Sequence, residues 1–299
     1  MPIEAPRVLD RNLALEAIRV TEGAALAASR FMGRGDERAA DEAAVAAMHA
    51  ALSGLAVEGS VVIGDGPPGR AEQLYVGERL GTSGGPGIDV AANPLEGPTI
   101  VAKGGNNALA VLALGEPGAF LPVPGVYMQK IAVGPDVPDG VVSLDAGPAD
   151  NLRALAEARG ADPEDLLVCI LDRPRHERII EEIRDAGGRI MLIADGDVSG
   201  VIAAAQPETG IDMYLGTGGA PEGVLAAAAL RGLGGRMEAR LAPFSHDHRA
   251  EIADYGIDEP DRLHTAETLA AGEVMFACTG VTDSALLRGV RRRHDVATT

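Results

Sequence analysis

Tryptophan is absent from this sequence, and phenylalanine and tyrosine together make up only 3% of it. A core must therefore be built from Ala, Val, Leu and Ile, and a hydrophobic content of 46% is enough to build one. No apolar run approaches the roughly 20 residues that span a bilayer, so no membrane helix is expected. The opening stretch, MPIEAPRVLDRN, has no basic region followed by an apolar one, so no signal peptide is expected either. Cysteine is scarce. Cys169 and Cys278 both stand in apolar, strand-like stretches and read as buried reduced thiols, which fits a cytoplasmic location. Positive charge is scarce too: 26 Lys and Arg face 44 Asp and Glu, for a net charge of −18. That balance argues against nucleic-acid backbones as the main partner. The one basic cluster, Arg288 to Arg293, reads as a solvated face. Neither the dinucleotide fingerprint nor the Walker motif occurs, so no nucleotide cofactor is expected. His176, His246, His248 and His264 show no zinc spacing and read as structural or exposed.

What is present is a chain of 299 residues, which suggests about two domains. Asn12 to Phe31 reads as a helix with Leu15, Ile18, Ala25 and Leu26 near one face. A second helix is expected from about Asp36 to Leu55, with Val45, Met48, Leu52 and Leu55 as its apolar stripe. Asp41 falls on that stripe. A carboxylate on a buried side needs a partner or a cation; a first-turn Asp favoured by the helix dipole is the plainer alternative.

The stretch from Gly64 to Pro98 is the chemical centre of the first half. A short strand, Ser60 to Ile63, ends at Gly64-Asp65-Gly66. Tyr75 to Gly77 is a second candidate strand. Ile88 to Ala92 is a strand running into the turn Asn93-Pro94-Leu95-Glu96-Gly97-Pro98. Thr99 to Lys103 and Ala108 to Leu114 read as further strands.

After a junction at Gly134 to Gly140 the pattern changes. Apolar strands alternate with helices: Leu167 to Leu171, Arg189 to Ala194, Ile211 to Leu215 and Glu273 to Cys278 are the strands. That alternation predicts a buried parallel sheet, with ligands outside the carboxyl ends of its strands. The glycine run Gly216 to Gly219 opens a helix with Pro221 in its first turn, a natural anion site. Arg173 and Arg175 end a neighbouring strand, and guanidinium forks match phosphate oxygens. Asp41, Asp65, Glu96 and Glu222 each stand at an element end or on a buried face, and such oxygen ligands suit Mg²⁺ or Mn²⁺. Phosphate beside a hard divalent cation suggests hydrolysis.

Over nearly its whole length the chain resembles class II fructose-1,6-bisphosphatases, some of which also act on sedoheptulose 1,7-bisphosphate. The resemblance rests on Arg19-Val20-Thr21-Glu22, Gly33-Arg34-Gly35-Asp36, Val62-Ile63-Gly64, Leu74-Tyr75-Val76-Gly77-Glu78, Pro94-Leu95-Glu96-Gly97, Tyr127-Met128, Arg173-Pro174-Arg175-His176 and Asp195-Gly196-Asp197. The most specific stretch is Gly218-Gly219-Ala220-Pro221-Glu222-Gly223. It implies the layered α/β sugar-phosphatase fold shared with lithium-sensitive phosphatases. The expected layout is a metal-binding α+β domain with a mixed sheet over residues 1–140. A substrate-binding α/β domain with a parallel sheet is expected over 141–299.

By position the resemblance places metal ligands, for Mn²⁺ or Mg²⁺, at Asp41, Asp65, Asn93, Glu96 and Glu222. Substrate contacts fall on Glu96, Gly97, Pro98, Tyr127, Arg173, Pro174, Arg175, Asp195, Gly196, Asp197 and Gly219. The family has Glu where Asp65 stands, Asp where Asn93 stands and Thr where Pro98 stands. Thr99 is the hydroxyl next door, so Asp65, Glu96 and Thr99 are the expected catalytic residues. The implied protein is a cytoplasmic phosphatase of gluconeogenesis or Calvin-type metabolism, a homo-oligomer (dimer or tetramer) with no nucleic-acid or membrane partner. The alternative is a catalytically weak paralogue that senses a sugar phosphate.

Overall fold

The computed structural model describes residues 9, 11–294 and 296–299. The leading stretch, on which the expectation of no signal peptide rests, lies largely outside them. Among the described residues, no helix is long and apolar enough to cross a membrane. The chain folds into two compact units: residues 1–121 with 270–299, and residues 122–269. The expected junction at Gly134 to Gly140 thus lies inside the second unit, and the chain returns to the first for its last thirty or so positions.

The first unit begins with α1 (Arg11–Ala28) and α2 (Glu37–Ser53), followed by β1 (Glu58–Ile63), β2 (Arg79–Leu80) and β3 (Gly87–Glu96). Next come α3 (Pro98–Lys103) and β4 (Leu109–Gly115). The packed side of α1 is Leu13, Ala17, Val20, Ala24 and Ala28, whereas Leu15 and Ile18 are 52% and 45% exposed. The expected face is thus half right: Ala25 is fully buried and Leu26 packs against the core, but Leu15 and Ile18 are exposed. The run of alanines is the packed side because it lets α1 approach α2, whose own Ala40 and Ala44 are fully buried. The stripe expected on α2 is the buried one, as Val45, Met48, Leu52 and Leu55 all join the core.

Two local expectations change here. The turn expected after Ala92 is strand: β3 continues to Glu96 with a register shift against β4 between Asn93 and Glu96. Pro94 has no N–H to give, and the shift accommodates it within the strand. The strand expected at Thr99 to Lys103 is the helix α3. Pro98 at its first position presets the helical φ, and Gly97 and Gly104 close the two ends in the left-handed region, at φ 86° and 70°. No strand forms at Tyr75 to Gly77; Tyr75 makes a single bridge to Gly66.

The second unit contains β5 (Tyr127–Val133), α4 (Pro148–Arg159), β6 (Leu167–Leu171), α5 (Glu177–Asp185) and β7 (Arg189–Ile193). It continues with α6 (Asp197–Ala204), β8 (Met213–Gly219), α7 (Ala220–Leu233), β9 (Arg236–Ala242), α8 (His246–Asp254), β10 (His264–Thr265) and α9 (Ala266–Leu269). The chain then re-enters the first unit with β11 (Val274–Gly280), β12 (Arg291–Arg293) and β13 (Val296–Thr298).

Both large sheets are mixed. In the first unit the order is β11-β4-β3-β1-β2, with only β1 and β3 parallel. The strand read from Glu273 to Cys278 is β11, antiparallel to β4, and not part of the later sheet. In the second unit the order is β10-β9-β5-β8-β6-β7. Its β8, β6 and β7 are parallel, as expected, but β5 runs antiparallel to both β8 and β9. The expected all-parallel sheet is thus corrected by two strands whose charged residues hide them. Lys130 interrupts β5, and β9 alternates Arg236, Glu238 and Arg240 with buried Met237, Ala239 and Leu241.

One face of this sheet, including Ile131, Val133, Val168, Ile170, Met213 and Leu215, packs with Leu152, Leu155, Ile180 and Ile183 of α4 and α5. Successive side chains on a strand alternate faces, so Met128 and Lys130 of β5 point the other way, where Gly223 of α7 sits against both.

His264 on β10 is buried, and neither ring nitrogen has a hydrogen-bond partner among the described residues. Burial, and then the nearby Arg262, lowers its pKa from the usual histidine value. A histidine held neutral in the fold takes up its proton more readily when unfolded, so stability is lost as pH falls below about 6.5. His264→Leu should raise the urea midpoint, by more at about pH 5.5 than at about pH 8. Equal shifts at both pH values, or a lower midpoint throughout, would contradict this account.

Candidate active site

In the first unit the helix α2 starts at Glu37, with Asp36 capping it by accepting the Ala39 N–H at 2.9 Å. Asp41 therefore lies beyond the first turn, and capping does not explain it. It is half-buried, on the side of α2 that carries Ala44, Val45 and Met48. Its carboxyl is pushed up to about 6, first by loss of hydration, then by the charges of Asp65 and Glu42. Asp65 follows the end of β1, where its own N–H donates to the Leu74 carbonyl at 2.9 Å. Its pKa is also raised, by the protein that displaces water from it. The fold thus brings Asp41 and Asp65 near enough to repel each other.

Asn93 and Glu96 flank the register shift in β3, with Asn93 half-buried and Glu96 buried at 4% exposure. Glu96 lies near Cys278, whose thiol is pushed up to about 11 by burial and then by that charge. Both cysteines are free, and burial lifts Cys169 to about 12, so both thiols are inert at neutral pH. Pro98 and Thr99 form the first turn of α3, half-buried. Among the described residues, no three His, Cys, Asp or Glu side chains converge as a ready metal-holding group. The donors present are all oxygens, which suits a hard divalent cation. The mutual repulsion of Asp41 and Asp65 is what such a cation would relieve.

The second unit carries the other candidates around β8. The expected glycine-rich loop is not a loop: β8 runs through Gly216, Thr217, Gly218 and Gly219, paired residue by residue with Lys130, Gln129, Met128 and Tyr127 of β5. The glycines serve close approach. A Cβ on Gly218 would collide with the carboxylate of Asp197, and one on Gly219 with that of Glu222. Asp197 opens α6 after Gly196, which takes a left-handed φ of 96°. Asp197 is buried; it accepts from the Tyr214 hydroxyl on one oxygen and pairs with the Lys130 ammonium through the other. Asp195 accepts the N–H of Gly196 at 3.0 Å. Glu222, in the first turn of α7, is held above the usual carboxylate pKa by loss of hydration, against the opposing charge of Lys130.

Arg175 is exposed and donates from Nε and Nη2 to the Thr217 carbonyl at 2.9 and 2.7 Å. Its guanidinium lies 4.9 Å from the centre of the Tyr127 ring, a cation–π contact. Arg173 donates to the carbonyls of Asp172 and Ala194 at 2.9 and 2.6 Å. Pro174 starts the short 3-10 turn that contains Arg175 and leads into α5. That turn ends at His176. Its Nδ1 donates to the Leu171 carbonyl at 2.7 Å, while Nε2 accepts the Thr217 N–H at 2.8 Å, so the ring is neutral. Burial lowers its pKa.

The structure therefore brings Tyr127, Arg175, Asp197, Gly219 and Glu222 into one neighbourhood of the second unit. Sequence reasoning missed Lys130, Tyr214, Phe244 and His248. Phe244 and His248 stand 5.1 and 6.2 Å from the Tyr127 ring, centre to centre. A lysine inside the otherwise apolar stretch Met128 to Val133 was the signal that could have been read.

The crowding of Asp41 has a measurable consequence. Its folded pKa lies above the unfolded value of 3.8, so ionising it destabilises the metal-free fold as pH rises through about 6. Without divalent cations, Asp41→Asn should be more stable than the parent at about pH 7.5, by roughly 1 kcal/mol once solvent screening is allowed for, and the two should converge only below the unfolded carboxyl value, at about pH 3.5. Added Mn²⁺ should raise the melting temperature of the parent more than that of the variant. A variant less stable than the parent in EDTA would contradict the repulsion.

The sequence model for the family described as bacterial fructose-1,6-bisphosphatase, glpX-encoded, matches residues 11–299. A D-fructose 1,6-bisphosphatase class 2/sedoheptulose 1,7-bisphosphatase from Synechococcus sp. (strain JA-3-3Ab) is 42% identical, over 95% of this chain and 88% of that protein. Fructose-1,6-bisphosphatase 1 class 2 from Escherichia coli (strain K12) is 41% identical, over 97% of this chain and 90% of that protein. With matches of this extent, the chain belongs to the bacterial fructose-1,6-bisphosphatase family.

Proposed function

We propose that this chain is a phosphoric monoester hydrolase that removes the 1-phosphate of fructose 1,6-bisphosphate, and acts on sedoheptulose 1,7-bisphosphate as a second substrate. It would serve gluconeogenesis or a Calvin-type cycle. The observation that carries this reading is the family match along residues 11–299.

Asp41, Asp65, Asn93 and Glu96 of the first unit are the proposed holders of Mn²⁺ or Mg²⁺, with Glu222 as the ligand candidate on the second. When bound, the cation withdraws charge from the phosphoryl oxygens and lowers the pKa of an attacking water. Asp65 is the carboxylate proposed to take up a proton from that water. Glu96 is buried beside the register shift in β3, which fixes its backbone; Thr99, in the first turn of α3, is the hydroxyl proposed to orient the water.

The sugar and its remote phosphate are assigned to Glu96, Gly97, Pro98, Tyr127, Arg173, Pro174, Arg175, Asp195, Gly196, Asp197 and Gly219. Arg175 spends two of its five N–H donors on the Thr217 carbonyl and has others to offer a phosphate. The Tyr127 ring beneath it restricts where the guanidinium can point. The two free thiols favour a reducing cytoplasm, and exposed Leu15 and Ile18 offer an apolar face to a homo-oligomer.

Phosphate release from fructose 1,6-bisphosphate should depend on Mn²⁺ and should be abolished in Asp65→Ala. Arg175→Ala should raise KM by about 10-fold or more while changing kcat little, because it removes charge-assisted bonds to a group that does not react. No phosphate release at saturating Mn²⁺, with calorimetric binding of fructose 6-phosphate intact, would identify a sugar-phosphate sensor in place of an enzyme.

A further inference from the structure

Lys130 stands in the middle of β5 with none of its side chain exposed, on the face covered by α6 and α7. A buried ammonium without partners would be strongly destabilising. This one reaches two. It pairs with Asp197, the first residue of α6, and it donates to the carbonyl of Gly219 at 2.6 Å, the last residue of β8 and the cap of α7. The other oxygen of Asp197 is taken by Tyr214 from β8 itself. Gly223, in the first turn of α7, rests directly above the lysine stem; a Cβ there would stand 3.5 Å from its Cδ. One ammonium therefore ties the end of β8 and the first turns of α6 and α7 to β5. Those elements carry Asp197, Gly219, Glu222 and, opposite Gly219 in register, Tyr127.

We propose that Lys130 is a positioning residue for sugar-phosphate binding: it sets the Gly219 carbonyl and the Asp197 carboxylate, and through them the first turns of α6 and α7 beside Tyr127. The ion pair directs Asp197 inward, into the fold, so the substrate meets this region through atoms whose places Lys130 decides. Arginine in its place would keep the charge but move the donor atoms; an apolar side chain would leave Asp197 without its cation and the Gly219 carbonyl without its donor.

The inference rests on the sugar-phosphate reading, and the test separates the two. Calorimetry in EDTA with fructose 6-phosphate reads binding without any metal, beside steady-state kinetics with Mn²⁺. Lys130→Met should weaken fructose 6-phosphate binding by about 10-fold or more, appearing in KM more than in kcat. Lys130→Arg should lie between Lys130→Met and the parent. Leu155→Ala, in the α4 core remote from β8, serves as a control of lowered melting temperature and should leave the affinity unchanged.

If the parent chain fails to bind fructose 6-phosphate, the sugar-phosphate reading falls and this role falls with it. If the parent binds and Lys130→Met binds equally well, the role alone is overturned. An equal loss of affinity in Leu155→Ala would reduce Lys130 to general stability and also overturn it. Should Lys130→Met not fold, Lys130→Arg decides: a folded arginine variant with the parent's affinity overturns the role.

Discussion

Three glycines in one strand end, Gly216, Gly218 and Gly219, stand where a Cβ would press on a side chain arriving from another element. His176 comes from the turn after β6, Asp197 from the start of α6, and Glu222 from the start of α7. The packing of His176, Asp197 and Glu222 against β8 depends on this closeness. Backbone exposed on the sheet face lets charged groups lie against it. Each of those groups is then satisfied locally, His176 by backbone on both nitrogens and Asp197 by Tyr214 and Lys130. The result is a polar layer with fixed bonds inside an otherwise alanine- and valine-rich fold. The surface it supports carries Arg175 over Tyr127.

The first unit works under the opposite condition. Asp41 and Asp65 meet there as two like charges. Loss of hydration and then the charge of Asp65 raise the cost of ionising Asp41, on a helix face that otherwise supplies the core. Such an arrangement weakens the metal-free fold and is expected where function needs concentrated charge. Asp197 of the second unit has its cation within the fold, whereas Asp41 of the first faces another carboxylate.

The sequence was legible where one rule acted alone. Leu167 to Leu171 and Arg189 to Ile193 follow the apolar-run rule for parallel strands, and both were found within a residue. Asp41 was legible because a carboxylate on an apolar stripe is an anomaly in itself. Elsewhere two rules competed. Glycines at 216, 218 and 219 resemble a loop in sequence, but their reason is the side chains that approach them, which no local pattern encodes. Lys130 hid β5 because a charge in a strand reads as an interruption until its partner 67 positions away is known. Pro98 ended a supposed turn, yet proline after a left-handed glycine also starts a helix, and here it does. On α1, larger apolar residues outweighed alanines in the reading, while packing against α2 favoured the alanines.

On the proposed reading the first unit holds a cation through Asp41 and Asp65, and the second holds the sugar's phosphate at Arg175 and Tyr127. Diffraction from crystals grown with Mn²⁺ and fructose 6-phosphate tests it most directly, with data collected at the manganese edge. An anomalous peak is expected within about 2.2 Å of carboxylate oxygens of both Asp41 and Asp65, with the sugar's phosphate bonded to the Arg175 guanidinium beside Tyr127. Manganese bound away from Asp41 and Asp65, or a sugar phosphate that does not touch Arg175, would contradict it.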